Sequence, residues 1–133
     1  MPIYRSERAI SIPSNLNLTQ LLRSSARSTA AAGDQLIAQD DLEGRSLTIS
    51  QLRNNAGRLA RGLTTAFRPP SQSRWAILLP NSIVYIEACH AVLWMGDIFC
   101  PINHLLTVHE IANALAICKP SFIIAYTEVC LLS

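Results

Sequence analysis

Apolar or small residues recur at Leu18, Leu21, Leu22, Ser25, Ala26 and Thr29, stop at Gly33, and so predict one amphipathic helix near the start of the chain. Two short runs follow, Gln35–Gln39 and Ser46–Ile49, separated by the turn-forming Asp40-Asp41-Leu42-Glu43-Gly44, which predicts a hairpin. Thr48 and Gln51 then stand three apart as a capping box. Leu52, Ala56, Leu59, Ala60, Leu63 and Phe67 continue from it at helical spacing, and Pro69-Pro70-Ser71-Gln72-Ser73 breaks the chain into a loop.

Beyond that loop the pattern changes. Trp75–Leu79, Ile98–Cys100 and Phe122–Ala125 are unbroken apolar runs rather than alternating ones, the mark of strands buried on both faces of a parallel sheet. Between them lie helical segments from Asn81, read as a cap, to Met95, and from Thr107, opening a second capping box with Glu110, to Cys118. The expected class is α/β: residues 1–70 form helix, hairpin and helix, and residues 71–133 form a βαβαβ unit. The last strand is followed closely by Leu131-Leu132-Ser133 with no helix after it, so the sheet is expected to be unfinished, with a bare apolar face.

Composition narrows the functional classes. Of 133 residues, 50% are apolar, mean hydropathy is +0.25, and eleven basic against nine acidic residues leave a net charge of +2, too little for the basic stripe of a nucleic-acid binder. No run is long enough for a membrane span, and the first residues lack the apolar core of a signal peptide, so the chain is expected to be intracellular, in the cytoplasm rather than secreted. Asn17-Leu18-Thr19 is then a helix cap rather than a glycosylation acceptor. Cys89, Cys100, Cys118 and Cys130 match no zinc or redox spacing and read as reduced core thiols.

Candidate chemistry is thin. The five glycines never cluster, so neither a dinucleotide fingerprint nor a phosphate loop is present, and Pro80 and Pro101 fall where a phosphate nest needs free amides. His90, His104 and His109 make no metal set, and Cys100 with His104 is a weak nucleophile–base pair across a proline turn. Arg53, Arg58 and Arg61 decorate the wet side of a helix. Asp34, Asp40, Asp41 and Glu43 keep a turn solvated, and Glu87 reads as solvent-facing in mid-helix.

Three stretches nevertheless carry a resemblance: Ser46–Leu52 leading to Arg58–Leu63; Trp75–Ser82; and Ala91–Asn103 followed by Leu106–Glu110. In these the chain resembles the N-terminal part of adenylate-forming acyl-CoA synthetases, the superfamily of coumarate-CoA ligases and luciferases, and the fungal coumarate-CoA-ligase-like members above all. The resemblance implies an incomplete large N-terminal domain. It also implies a family reaction in which ATP and Mg²⁺ adenylate a carboxylic acid that is then transferred to coenzyme A. The family's phosphate loop, adenine contacts, hinge and catalytic Lys lie beyond this segment. No catalytic, cofactor-binding or metal-binding residue therefore carries over, and Lys119 matches only a helix-to-strand turn.

The leading expectation is a truncated acyl-CoA-ligase-like protein inactive on its own, with no cofactor for this chain and ATP, Mg²⁺ and coenzyme A for full-length relatives. The alternative is a non-catalytic interaction module that self-associates or pairs with a complementary synthetase fragment. Asp97 departs from the family, where a small or apolar residue follows the helix-ending Gly. Buried alone it would cost several kcal/mol, so it is expected either just outside the sheet capping an amide or in a sequence no longer held to function.

Overall fold

The computed structural model describes residues 15–16, 35–41 and 44–126; the predicted helix over Leu18–Gly33, Asp34, Glu43 and Cys130 lie outside them. Strands β1 (Leu36–Asp40) and β2 (Arg45–Thr48) pair antiparallel with a bulge between Leu36 and Ala38, as the turn residues between them dictate. Thr48 ends β2 and caps helix α1 (Ile49–Phe67). Its hydroxyl accepts from the Gln51 amide at 3.2 Å while the Gln51 carboxamide accepts from the Thr48 amide at 2.8 Å, so the expected capping box is complete.

A turn over 69–73 leads into strand β3 (Arg74–Leu78), helix α2 (Ile83–Met95), strand β4 (Ile98–Pro101), helix α3 (Val108–Cys118) and strand β5 (Phe122–Ala125). The three strands are parallel in the order β4-β3-β5, which is the predicted βαβαβ unit. The helix caps differ in one place: Ser82, not Asn81, caps α2, its hydroxyl accepting from the Tyr85 amide at 3.2 Å. Thr107 and Glu110 form the second capping box as read. Helix α2 stops at Gly96, whose φ of +79° suits glycine. There the Gly96 amide donates to Leu93 and the Asp97 amide to Val92, both at 3.2 Å, satisfying the carbonyls of the last turn.

Because β4 and β5 flank β3 on opposite sides, the two crossovers lay their helices on opposite faces, as right-handed connections require. Side-chain parity along β3 separates two cores. Trp75 and Ile77 pack with Leu79, Ala88 and Val92 on the α2 side, where Leu63 of α1 joins them. Ala76 and Leu78 pack with Ile102 on the other side, against Ile111, Ala114 and Leu115 of α3. The sheet is therefore not left with a bare face, contrary to the sequence expectation: the connection between β4 and β5 itself supplies the cover. The inference from unbroken apolar runs also holds only for β3, which is buried from Trp75 to Leu78. Among the described residues strands β4 and β5 are edges, with Ile98 and Ile123 exposed.

Three of the eight aromatic residues meet at one seam. Phe122 of β5 stacks on Trp75 with ring centroids 4.3 Å apart and planes 21° apart, and Phe67 at the end of α1 meets both, at 5.7 Å and 6.1 Å. The last turn of α1, the central strand and the last strand are thus joined through rings, a contact worth about 1 kcal/mol per pair beyond burial.

Candidate functional site

In an open parallel sheet whose crossovers leave for opposite faces, ligands bind beyond the carboxyl ends of the strands, where the chain connections part. Here that edge is made by Pro80-Asn81-Ser82 after β3, Asn103-His104-Leu105 after β4 and Tyr126 after β5. Asn81, Leu105 and Tyr126 are exposed and His104 is half-buried. Beside it the hairpin and the start of α2 enclose a cavity of about 520 Å³, lined by Asp40, Asp41, Asn81, Ser82 and Tyr85 among others.

The electrostatics of this edge disfavour a phosphate. Asp40 and Asp41 share the cavity with the amino end of α2, so an anion entering it would meet side chains of like charge. The loop after β4 spends its amides on its own chain: Ile102 donates to the Ile77 carbonyl at 3.1 Å, Leu105 to the Asn103 side chain at 3.0 Å and Leu106 to the Asn103 carbonyl at 3.4 Å. Among the described residues no three of His, Cys, Asp and Glu converge as a metal site. A nucleotide with its magnesium does not fit these residues, and no chemical step through it is derived for them.

A second groove, about 480 Å³, runs between α1 and α2. Arg53, Arg58 and Arg61, read as scattered over a wet face, line it together with Thr64 and Trp94. Arg58 and Arg61 are exposed, while Arg53 is partly buried. The Trp94 ring lies against Gly57, 3.7 Å from where a β-carbon would stand.

Other candidates resolve into structure. Glu87 does not face solvent: it is half-buried and accepts a 2.7 Å hydrogen bond from Asn55, tying α2 to α1. His90 is also half-buried, and its burial holds the imidazole below its ordinary pKa, in the neutral form near pH 7. Cys89 is pushed up to about 11 by burial, against a hydrogen bond from Tyr85 that pulls it down, so its thiol stays protonated. Glu110 is pulled down by the Thr107 amide and then its hydroxyl, the signature of the capping box. Lys119 is the left-handed residue ending α3, at φ 45°, and its amide donates to the Leu115 carbonyl at 2.8 Å.

Asp97 lies just before β4 and caps a backbone amide, the first of the two alternatives expected for it, but it does so buried, at 8% exposure, and with a second partner: one oxygen accepts from the Ser73 amide at 3.1 Å and the other from the Trp75 indole at 2.8 Å. A carboxylate sealed in with two donors is a clamp between the starts of β3 and β4. Its signal was present in the sequence only as a pair, since neither Trp75 nor Asp97 alone announces the bond.

With this geometry in view, the family model for AMP-binding enzymes matches residues 25–132. The chain belongs to the AMP-binding enzyme family. Relatives of this family member include feruloyl-CoA synthases of an Amycolatopsis and a Streptomyces species, each 40% identical over 73 residues. That stretch is 55% of this chain and 15% of the relative, so the match spans a minor part of the curated proteins. Among solved structures, a benzoate CoA ligase from Burkholderia xenovorans superposes with a TM-score of 0.72 at 22% identity, covering 87% of this chain and 22% of that one. The anthranilate CoA ligase AuaEII, solved with anthranoyl-AMP, gives 0.77 at 20% identity, covering 91% and 22%. These likenesses establish the fold, which is that of a part of the adenylate-forming N-terminal domain. The curated relatives are from bacterial genera, not fungi.

Proposed function

We propose that this chain is a segment of an acyl-CoA ligase of the coumarate-CoA-ligase type, acting on an aromatic hydroxycinnamate-like acid with ATP, Mg²⁺ and coenzyme A. In this reading the described residues supply scaffold rather than chemistry. The 40% identity to two feruloyl-CoA synthases carries the substrate class; the fungal subtype rests on the resemblance of the three stretches quoted above. Unpaired cysteines at positions 89, 100 and 118 agree with a reducing, intracellular compartment, and no helix among the described residues is long and apolar enough to cross a membrane.

Two experiments test the proposal. The purified chain, given ATP, Mg²⁺, coenzyme A and ferulate or coumarate, should form no acyl-adenylate and no thioester; turnover would overturn the scaffold role. Residues 25–132 grafted in place of the matching segment of a feruloyl-CoA synthase should preserve ferulate activation. A folded chimera with lost or redirected acid preference would remove the substrate assignment.

A second reading, pairing with a complementary synthetase fragment or a second copy, is favoured by one observation. The outer side of α3 and the loop before it present Leu105, 78% exposed, Val108 and Ile117, 82% exposed. Light scattering after size exclusion separates the cases. A monomer that binds no such fragment sinks this reading.

A further inference from the structure

The sheet brings together two cysteines with seventeen residues between them in sequence. Cys100 is opposite Ala76 in the β3–β4 register, so both project to the face that α3 covers. Cys118 ends α3 and packs into that same core beside Ala76 and Leu78. The Cys118 thiol, which donates to the Leu115 carbonyl at 3.8 Å, is close enough to Cys100 to influence its ionisation. Arg74, two residues before Ala76 and on the same side of β3, donates to the Cys118 carbonyl at 3.2 Å and sets its positive charge near Cys100.

We propose that Cys100 and Cys118 form a two-thiol site that reacts as a unit with a small-molecule disulfide of the glutathione class, closing a bond between β4 and the end of α3. The thiolate of Cys100 attacks one sulfur of glutathione disulfide and expels one glutathione. Cys118, deprotonated in turn, attacks the protein-bound sulfur of the mixed disulfide and expels the second. The protein gives up two electrons and two protons, and the reagent is reduced to two thiols. Holding the second thiol on the same covered face as the first makes the closing step intramolecular and fast relative to capture by another chain.

The surroundings set the rate. Burial and the neighbouring Cys118 push the Cys100 thiol up, and Arg74 opposes them, so closure accelerates as pH rises from 7 toward 9. Cys89 lies on α2, across the sheet from this core, and serves as an internal control.

The test uses the whole chain with Cys130→Ser, treated with glutathione disulfide at pH 8. Cleavage after Glu and before Asp puts each of the four cysteine positions on its own peptide, because Glu87, Asp97, Glu110 and Glu128 separate them. The expected product is one crosslink joining the Cys100 and Cys118 peptides, reversed by dithiothreitol, with Cys89 left free and the thermal midpoint raised by about 5 °C. Cys118→Ser should convert the crosslink into a stable glutathione adduct on Cys100. A map of the Cys130→Ser chain showing only mixed adducts, chain-to-chain crosslinks or a bond to Cys89 would overturn the proposal, and so would the same map from the unsubstituted chain.

Discussion

The two faces of the parallel sheet are built to different standards. On the α2 side the strand residues Trp75 and Ile77 meet a helix that buries Ile83, Ala88, Ala91 and Val92, with α1 laid over it and an aromatic seam closing the end. On the α3 side Ala76 and Leu78 meet a helix in which no residue is fully buried. The contrast shows that this βαβαβ unit does not divide its packing evenly. The first crossover carries the core, and the second rests on it as an outer layer with apolar side chains still facing water.

Substitutions on the two sides should therefore differ in size, and urea unfolding of the purified chain can rank them. Trp75→Ala empties the better-packed side and strands the Asp97 carboxylate; a loss of about 4 kcal/mol is expected. Asp97→Ala leaves the Ser73 amide and the Trp75 indole without an acceptor, for about 3 kcal/mol. Asp97→Asn keeps one acceptor but turns an NH2 toward the other donor, so it too should destabilise; no loss at all would mean that only one of the two bonds matters. Leu115→Ala on α3 should cost about 1 to 2 kcal/mol, in keeping with partial burial. A value equal to that of Trp75→Ala would erase the contrast.

Acid should act first through the α2 side. The folded state holds His90 below the unfolded value, so the unfolded chain takes up its proton first, and stability is lost as pH falls below about 6.5 toward the folded pKa. Above that range both states are neutral and the effect vanishes. Comparing His90→Gln with the parent at pH 7.5 and 5 should show a smaller acid loss in the variant; equal losses would assign the effect elsewhere. The smallest change is expected at Gly62. A β-carbon there meets nothing within 4 Å, so Gly62→Ala should stabilise α1 by about 0.5 to 1 kcal/mol, read as a higher urea midpoint.

Much of this architecture was legible because local signals agreed with one another. Thr48 with Gln51 and Thr107 with Glu110 fix two helix starts by chemistry within four residues, and the strands at 98–100 and 122–125 are apolar runs between turn residues. What escaped the sequence was what depends on pairing at a distance. Asp97 is acceptable only because Trp75, twenty-two positions earlier, donates to it. Glu87 turns inward only because Asn55 is there to meet it. Placing Cys100 and Cys118 on one face needs both the β3–β4 register and the seating of α3, neither of which periodicity encodes. The candidate site was hardest of all, since the amides after β4 could be counted as occupied only once their partners were known.

The stack of Phe122 on Trp75 has an optical consequence. One indole of the two in the chain is 1% exposed and touches the last strand directly, while Trp94 sits half-exposed in the groove between α1 and α2. With Trp94→Phe, fluorescence from the remaining indole becomes a gauge of whether β5 has docked: blue when Phe122 covers the ring, red-shifted when β5 is released. The protein thus carries its own reporter for the final stage of sheet assembly, readable in a stopped-flow cuvette without any attached dye.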